Sequence, residues 1–425
     1  MVRPTTVGQV TRGLGAGQDE PLREMADRLG TLRDEVDSLR TRRHHLGYRE
    51  SIGWARDADA VVDEIAAEAA VAPSRALLGL VELMIGRTVK VIMQADDSSG
   101  AIGDVVRQLL GIHERLCDRG VADPVGLAKW LIKFGIVDQD LFNPDPVRYA
   151  AALGDKGLVF FRRGVEERAA EGKVPFAVRY CRERLAVLDG DVDQIVALLG
   201  GDLSGPYHFI RVAEAMLELG RDDDALFWAR RGIESTSGWQ VAKLYDIACG
   251  VLGGCDETGA VLDLRRGQHR RMPSATTYSQ LRSAAEALEV WPAEIEAARS
   301  ALGARDPGGL VDALLADGDV ETAWPVALPL DGGELDDRRL ARLAEAREPT
   351  DPNGAMGAYL RLARSALRTA DRSAYQAAAK LLKHARRAAK AADRSAEFDE
   401  HLAQLREHNR RRPTLIAMLD KAGLR

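Results

Sequence analysis

His113 and Cys117 stand four residues apart, a spacing that puts an imidazole and a thiol on one face of a helix and is the nearest approach to a metal-ligand pair in this 425-residue chain. Nothing nearby completes a ligand set, so the pair reads as packing, and Cys249 with Cys255 reads the same way. His401 and His408 share a helical face among Glu397, Asp399, Glu400 and Glu407 and read as solvated surface. Asp96-Asp97-Ser98-Ser99-Gly100 lacks the alternating ligands and twelfth-position glutamate of a calcium loop, and is expected to be a helix-capping turn. Gly253-Gly254 and Gly308-Gly309 have neither phosphate-loop nor dinucleotide spacing and are expected in loops. No HExxH, nucleophile elbow or Cys/His couple in catalytic context occurs. The expectation is a chain with no catalytic residues, no cofactor and no metal: not an enzyme.

The elements that carry these residues are expected to be helices. Hydrophobic residues make up 46% of the chain but aromatics only 5%, so Ala, Leu and Val must fill the interior, a mixture that favours helix over sheet. Residues 1–18 lack periodicity and read as a flexible leader. Leu22, Met25, Leu29, Leu32, Val36 and Leu39 then recur at alternating steps of three and four, giving one apolar helical stripe that fits either a self-association or partner helix or an amphipathic helix packed on its own domain. Turn signals at Ala72-Pro73, Asp96 to Gly100, Ala122-Asp123-Pro124 and Asn143 to Pro146 cut the following stretch into helical runs of roughly 8–20 residues. The boundaries read from sequence are 19–172 for an N-terminal helical region, 173–350 for tetratricopeptide-like hairpins and 351–425 for a basic C-terminal helical region.

One corner recurs in the middle of the chain. Leu188-Asp189-Gly190-Asp191-Val192 leads to Ile195, Ala316-Asp317-Gly318-Asp319-Val320 leads to Ala323, and Leu219-Gly220-Arg221-Asp222 leads to Ala225. Ala370-Asp371-Arg372-Ser373 leads to Tyr375 in a degenerate fourth copy. Glycine can close one helix in a left-handed conformation while the acidic residue suits the positive start of the next, so each corner is expected to make a helical hairpin. Residues 205–234 resemble a tetratricopeptide unit, with Ala213, Ala225, Ala229 and Gly232 as the small residues that let two helices approach closely. The repeat's aromatics and terminal proline are missing and the spacing is uneven. The fold class expected is therefore all-α, an irregular α-solenoid of stacked hairpins.

Several segments together resemble the helical region C-terminal to the zinc finger in bacterial SWIM zinc-finger proteins, a group common in actinobacteria. They are Tyr48-Arg49-Glu50 with Trp54-Ala55, Asp96 to Gly100 through Ile102-Gly103-Asp104, Pro206 to Arg211 through Gly220, Tyr375, Ala379-Lys380-Leu381-Leu382, and Asn409 to Thr414. The resemblance implies a helical scaffold. The Cys-x-Cys and Cys-x-His pairs of the finger do not occur, so no zinc site is implied with it.

Charge supplies the remaining clues. From Arg361 to Arg425 there are 16 Lys/Arg against 7 Asp/Glu, a net of +9 within a chain of net charge −6, so a basic tail follows an acidic body. Lys380, Lys383, Arg387, Lys390 and Arg394 fall at helical steps and are expected to align along a single helix, followed by Arg410, Arg411 and Arg412 and a short last helix from Pro413. This surface would meet phosphates or an acidic partner, or merely offset the acidic body, and no aromatic residues interleave to stack bases. Four cysteines make no disulfide framework, and the most apolar stretch, from Ala76 to Met93, is broken by Glu82, Arg87 and Lys90. The function expected is a cytoplasmic scaffold or adaptor that binds protein partners, with homo-oligomers and nucleic acid as further candidate partners and no membrane. Trp130, Trp228, Trp239, Trp291 and Trp324 are candidate anchors if exposed.

Overall fold

The computed structural model describes residues 19–40, 45–171, 174–330, 333 and 335–425, so the expected leader lies outside the described residues. Among them are twenty-one α-helices, one π-helix and no strand, the nearest approach to a sheet being an isolated bridge between Leu46 and Ala95. The fold is all-α, as the composition and periodicity predict. Two compact units meet the chain at Asp202 and Leu203.

Unit 1 contains α1 (Asp19–Ser38), α2 (Tyr48–Val71), α3 (Arg75–Ile92), α4 (Ala101–Asp118), α5 (Pro124–Ile132), the π-helix Lys133–Asp138, α6 (Ala150–Ala169), α7 (Phe176–Asp189) and α8 (Val192–Leu199). The turn signals act as caps: Ser74 Oγ accepts from Leu77 N at 3.2 Å, and Asp123 accepts from Gly126 N at 2.7 Å with Pro124 in the first turn. The Asp97 carboxylate accepts from the Ile102 and Gly103 amides, each at 2.9 Å, which makes Asp96 to Gly100 the expected capping turn. Helix α2 runs 24 residues, longer than the predicted range, because no proline or glycine cluster interrupts it. One apolar core runs from Leu32 on α1 to Leu185 on α7. It takes in Val178 and Cys181, and Arg184 pairs with Asp145 at 2.8 Å, so residues beyond 172 belong with the N-terminal region and the expected boundary there moves to 202.

Unit 2 contains α9 (Pro206–Glu218), α10 (Asp222–Ser235), α11 (Val241–Gly254), α12 (Thr258–Arg271), α13 (Ala275–Glu286), α14 (Trp291–Arg305), α15 (Pro307–Ala316), α16 (Val320–Ala327), α17 (Asp337–Arg347), α18 (Pro352–Ala366), α19 (Arg372–Ala391), α20 (Ser395–His408) and α21 (Pro413–Lys421). Most helices pack chiefly on their neighbours in sequence, the packing order of an α-solenoid, while α21 packs on α19. The interior follows suit as successive apolar clusters, around Phe209 to Ala248, then Leu262 to Ala313, then Val311 to Leu424. The last cluster crosses residue 350 without a break, so the basic C-terminal region shares its core with α15 to α17 and is no separate domain. Alanine does the filling: Ala355, Ala358 and Ala363 on α18 and Ala378, Ala379, Ala385, Ala388 and Ala389 on α19 are all buried. Gly253-Gly254 forms the last turn of α11 and Gly308-Gly309 lies in the first turn of α15, where Asp306 accepts from Gly309 N at 2.7 Å. These pairs are helix ends rather than the predicted loops, and at Gly308-Gly309 the Asp306 cap offsets the low helix propensity of glycine.

The recurring corner is a helix stop in which Gly190, Gly220 and Gly318 take φ of 65°, 67° and 76°. The following amide donates back five residues, Asp191 to Ala186, Arg221 to Met216 and Asp319 to Leu314. Asp191 and Asp319 then cap the next helix through Gln194 N and Thr322 N, at 3.0 and 3.2 Å. The same stop occurs where the sequence shows no glycine: Asp256, Glu289 and Asp393 hold φ of 60°, 59° and 57°. The Ala370-Asp371 copy keeps only the cap, Asp371 accepting from Ala374 N at 2.8 Å.

Candidate interaction surfaces

Helices α9 and α10 are joined by three residues and therefore run antiparallel, with Gly232 facing Phe209 so closely that a Cβ there would sit 2.7 Å from the Phe209 Cβ. This close approach fills the hairpin interior with Phe209, Val212, Ala213, Met216, Ala225, Ala229 and Ile233 and leaves the larger aromatics outside. Tyr207 is 53% exposed, Phe227 54% and Trp239, in the connection to α11, 81%. Trp228 is half-buried, 6.2 Å from Phe209 and edge-on to Phe227 at 5.4 Å between centroids. Arg211 lies over Tyr207 at 5.6 Å and Arg231 over Trp228 at 5.4 Å. Trp, Tyr and Arg are the residue types that carry most binding energy in protein interfaces. The other tryptophans are interior or half-buried: Trp291 is 9% exposed, Trp130 stacks between His113 and Phe134, and Trp324 sits under Arg347.

The described part of the α1 stripe, from Leu29 to Leu39, packs inside unit 1. Leu32 and Val36 are 5% and 1% exposed, Leu29 and Leu39 are half-buried against the same core, and the side chains of Leu22 and Met25 lie outside the described residues. Trp54 Nε1 donates to Leu39 O at 2.9 Å and Arg87 pairs with Asp37, fastening α1 to α2 and α3. From Leu29 to Leu39, α2 and α3 cover the face that a self-association or partner helix would need free.

The predicted basic row is divided between two helices. Lys380, Lys383, Arg387 and Lys390 lie on α19, which ends at Ala391, and Arg394 sits beyond the left-handed Asp393 at the start of α20. Arg387 grips Glu348 with two bonds of 2.6 and 2.7 Å, Arg394 pairs with Glu397, and Arg410 binds Glu407 at 2.5 Å. Arg412 donates to the Leu367 carbonyl at 2.7 Å, and α21 starts at Pro413 as predicted. Lys380, Lys383, Lys390 and Arg411 are exposed and make no ion pair among the described residues. Half of the row is therefore engaged within the chain.

His113 is fully buried, and its environment shows what the His/Cys pair does. Nδ1 lies 3.0 Å from the Tyr149 hydroxyl, Nε2 lies 3.5 Å from Glu82, and the ring stacks on Trp130 at 4.0 Å. Burial pushes the Cys117 thiol up to about 12 and the Tyr149 hydroxyl well above its ordinary value, so neither is a nucleophile near neutral pH. His269 is similarly satisfied, between Thr277 Oγ1 and Ala298 O at 2.9 Å each, with burial lowering its affinity for a proton. Among the described residues no group of three or more His, Cys, Asp or Glu is placed to hold a metal ion, and no helix is long and apolar enough to cross a membrane. Cys249 is buried and Cys255 exposed, both free thiols.

These features define, among the described residues, an all-α protein of helical hairpins that exposes Tyr207, Phe227 and Trp239 on and beside the α9–α10 hairpin. No family model matches the chain and no curated protein matches it. A solved structure described as "Circular tandem repeat protein with novel repeat topology and enhanced subunit contact surfaces" aligns with 94% of this chain and 96% of its own at 12% identity, with a TM-score of 0.21. So loose a superposition carries no argument, and the fold assignment rests on the helices themselves.

Proposed function

We propose that the protein is a non-enzymatic scaffold or adaptor of the cytoplasm that docks a protein partner on the α9–α10 hairpin and the connection to α11. The observation that carries this reading is the exposure of Tyr207, Phe227 and Trp239 on this hairpin and its outgoing connection, with Arg211 over the Tyr207 ring and Arg231 over Trp228. Leaving a tryptophan 81% exposed forgoes about 2 kcal/mol or more of burial, which a partner would recover. The chemistry suits a segment that presents an apolar side chain together with carboxylates. The resemblance to the helical region of SWIM zinc-finger proteins, and four cysteines that are all free thiols, agree with an intracellular scaffold.

The test is affinity purification of the full chain beside a Trp239→Ser/Phe227→Ser variant, with partners identified by mass spectrometry. A partner retained by the wild type and lost by a variant of unchanged circular dichroism supports the assignment. Identical recovery from both proteins removes this surface from the function.

A further inference from the structure

Between α18 and α20, within unit 2, a cleft of about 550 Å³ is lined by Arg364, Arg368, Arg412, His401, Gln404 and His408, with Leu367, Leu405 and Asn409 at its base. No carboxylate belongs to this lining. Outside it, Glu397 lies 3.8 Å from His401 Nε2. Arg364 Nη2 donates to His401 Nδ1 at 3.4 Å, which brings the imidazole and the guanidinium to the same wall of the cleft. On neighbouring segments Arg387, Arg394, Arg406 and Arg410 each hold a carboxylate, whereas Arg364, Arg368 and Arg412 pair with none among the described residues.

A purely structural explanation accounts for one of these cations. Arg364 and Arg368 stand at the C-terminal end of α18, where the helix dipole is worth about half a negative charge. Arg412 already bonds the Leu367 carbonyl that closes this helix. Half a charge does not balance three guanidinium groups drawn to one cleft, and their mutual repulsion falls when an oxyanion enters between them. Guanidinium forks match the paired oxygens of phosphoryl groups, and the volume falls in the range of roughly 300–1,000 Å³ typical of small-molecule sites.

We infer that the cleft between α18 and α20 is a binding site for a small molecule carrying two or more phosphoryl groups, held by Arg364, Arg368 and Arg412 with His401, Gln404 and His408 as further polar contacts. The site is independent of the docking surface on α9 and α10, and either can fail without the other. No Phe, Tyr or Trp lines the cleft, and the volume of about 550 Å³ suits a compact polyphosphate better than a nucleic-acid strand.

The experiment is calorimetric titration of the full chain with inorganic pyrophosphate at fixed ionic strength, in parallel with an Arg364→Ser/Arg368→Ser variant and a Lys380→Ser/Lys383→Ser variant. The expected result is saturable 1:1 binding to the wild type, at least tenfold weaker binding to the arginine variant and unchanged binding to the lysine variant. If the arginine variant loses its circular dichroism signal, His408→Ser and Gln404→Ala replace it, each expected to weaken binding about threefold. Absence of saturable binding to the wild type, or equal loss in the lysine variant, overturns the proposal. So does a single-stranded oligonucleotide that binds through Arg364 and Arg368 while pyrophosphate does not.

Discussion

Arg299 on α14 donates to Asp317 at 3.0 Å, and its other terminal nitrogen reaches Asp319 at 2.9 Å, so one guanidinium clamps both aspartates of the corner between α15 and α16. Arg282 on α13 also pairs with Asp317, and the Tyr278 hydroxyl donates to it at 2.7 Å. The first aspartate of the corner thus fastens earlier helices to the turn while the second caps the next helix. The Asp189-Gly190-Asp191 corner repeats the division of labour: Arg162 on α6 donates to Asp189 at 2.8 and 2.6 Å, and Asp191 caps α8.

Replacing Asp317 with Asn should destabilise unit 2 by about 3 kcal/mol, because its side chain is 8% exposed and two arginines would lose a partly buried anion. Asp319→Asn should cost less, since Asp319 is more exposed and Asn still caps. Urea midpoints of the two variants at pH 7 check the order; equal losses would contradict the clamp.

The three left-handed corners without glycine store strain. Glu289→Gly and Asp393→Gly should each raise stability by up to about 1 kcal/mol, as relief of the left-handed penalty outweighs the added unfolded-state entropy. Thermal unfolding measures it, and a fall in melting temperature in both variants would show that their side chains contribute more than the strain removes.

The α9–α10 contact depends on the absence of a side chain. Gly232→Ala places a Cβ against the Phe209 Cβ and ring, which cannot swing aside, and should cost about 1–3 kcal/mol. Trp239→Ser, by contrast, should change stability by less than about 0.5 kcal/mol. A strongly destabilised Trp239→Ser protein would mean that this ring is part of the fold and not a docking residue.

Acid should loosen the α17–α19 contact. The hydrogen bond from Arg387 holds Glu348 below the usual carboxylate value of 4.5, reinforced by the Tyr359 hydroxyl and opposed by burial. A depressed folded value contributes stability that is present above the unfolded value and lost as pH falls through the folded one. Wild-type stability should therefore decline on acidification below 4.5, and Glu348→Gln, lower at neutral pH, should show a shallower decline. Denaturant titrations at pH 7 and in steps below 5 read the slope; parallel slopes would exclude this pair as a source.

Leu32→Asp should unfold or strongly weaken unit 1, by about 3 kcal/mol or more, without altering the mass of whatever remains folded. Light scattering with circular dichroism separates the outcomes. A folded protein of changed mass would return α1 to the role of an association helix.

Local signals were legible in the residues themselves. Helix content followed from composition and period, Asp97, Asp123 and Asp191 announced their caps, and Gly190, Gly220 and Gly318 announced left-handed stops, because each depends on groups a few residues apart. What depended on which surfaces meet was not legible. The stripe of α1 has the same period whether it faces α2 or a second chain, and the pairing of Arg387 with Glu348 spans segments that the chain brings together only by stacking α17, α18 and α19. The stops at Asp256, Glu289 and Asp393 carry no glycine, so only backbone geometry reveals them. The cationic cleft between α18 and α20 likewise arises where two helices are laid side by side: the sequence supplied Arg412, His401 and His408 as separate surface features, and packing alone put them in one cavity with Arg364 and Arg368.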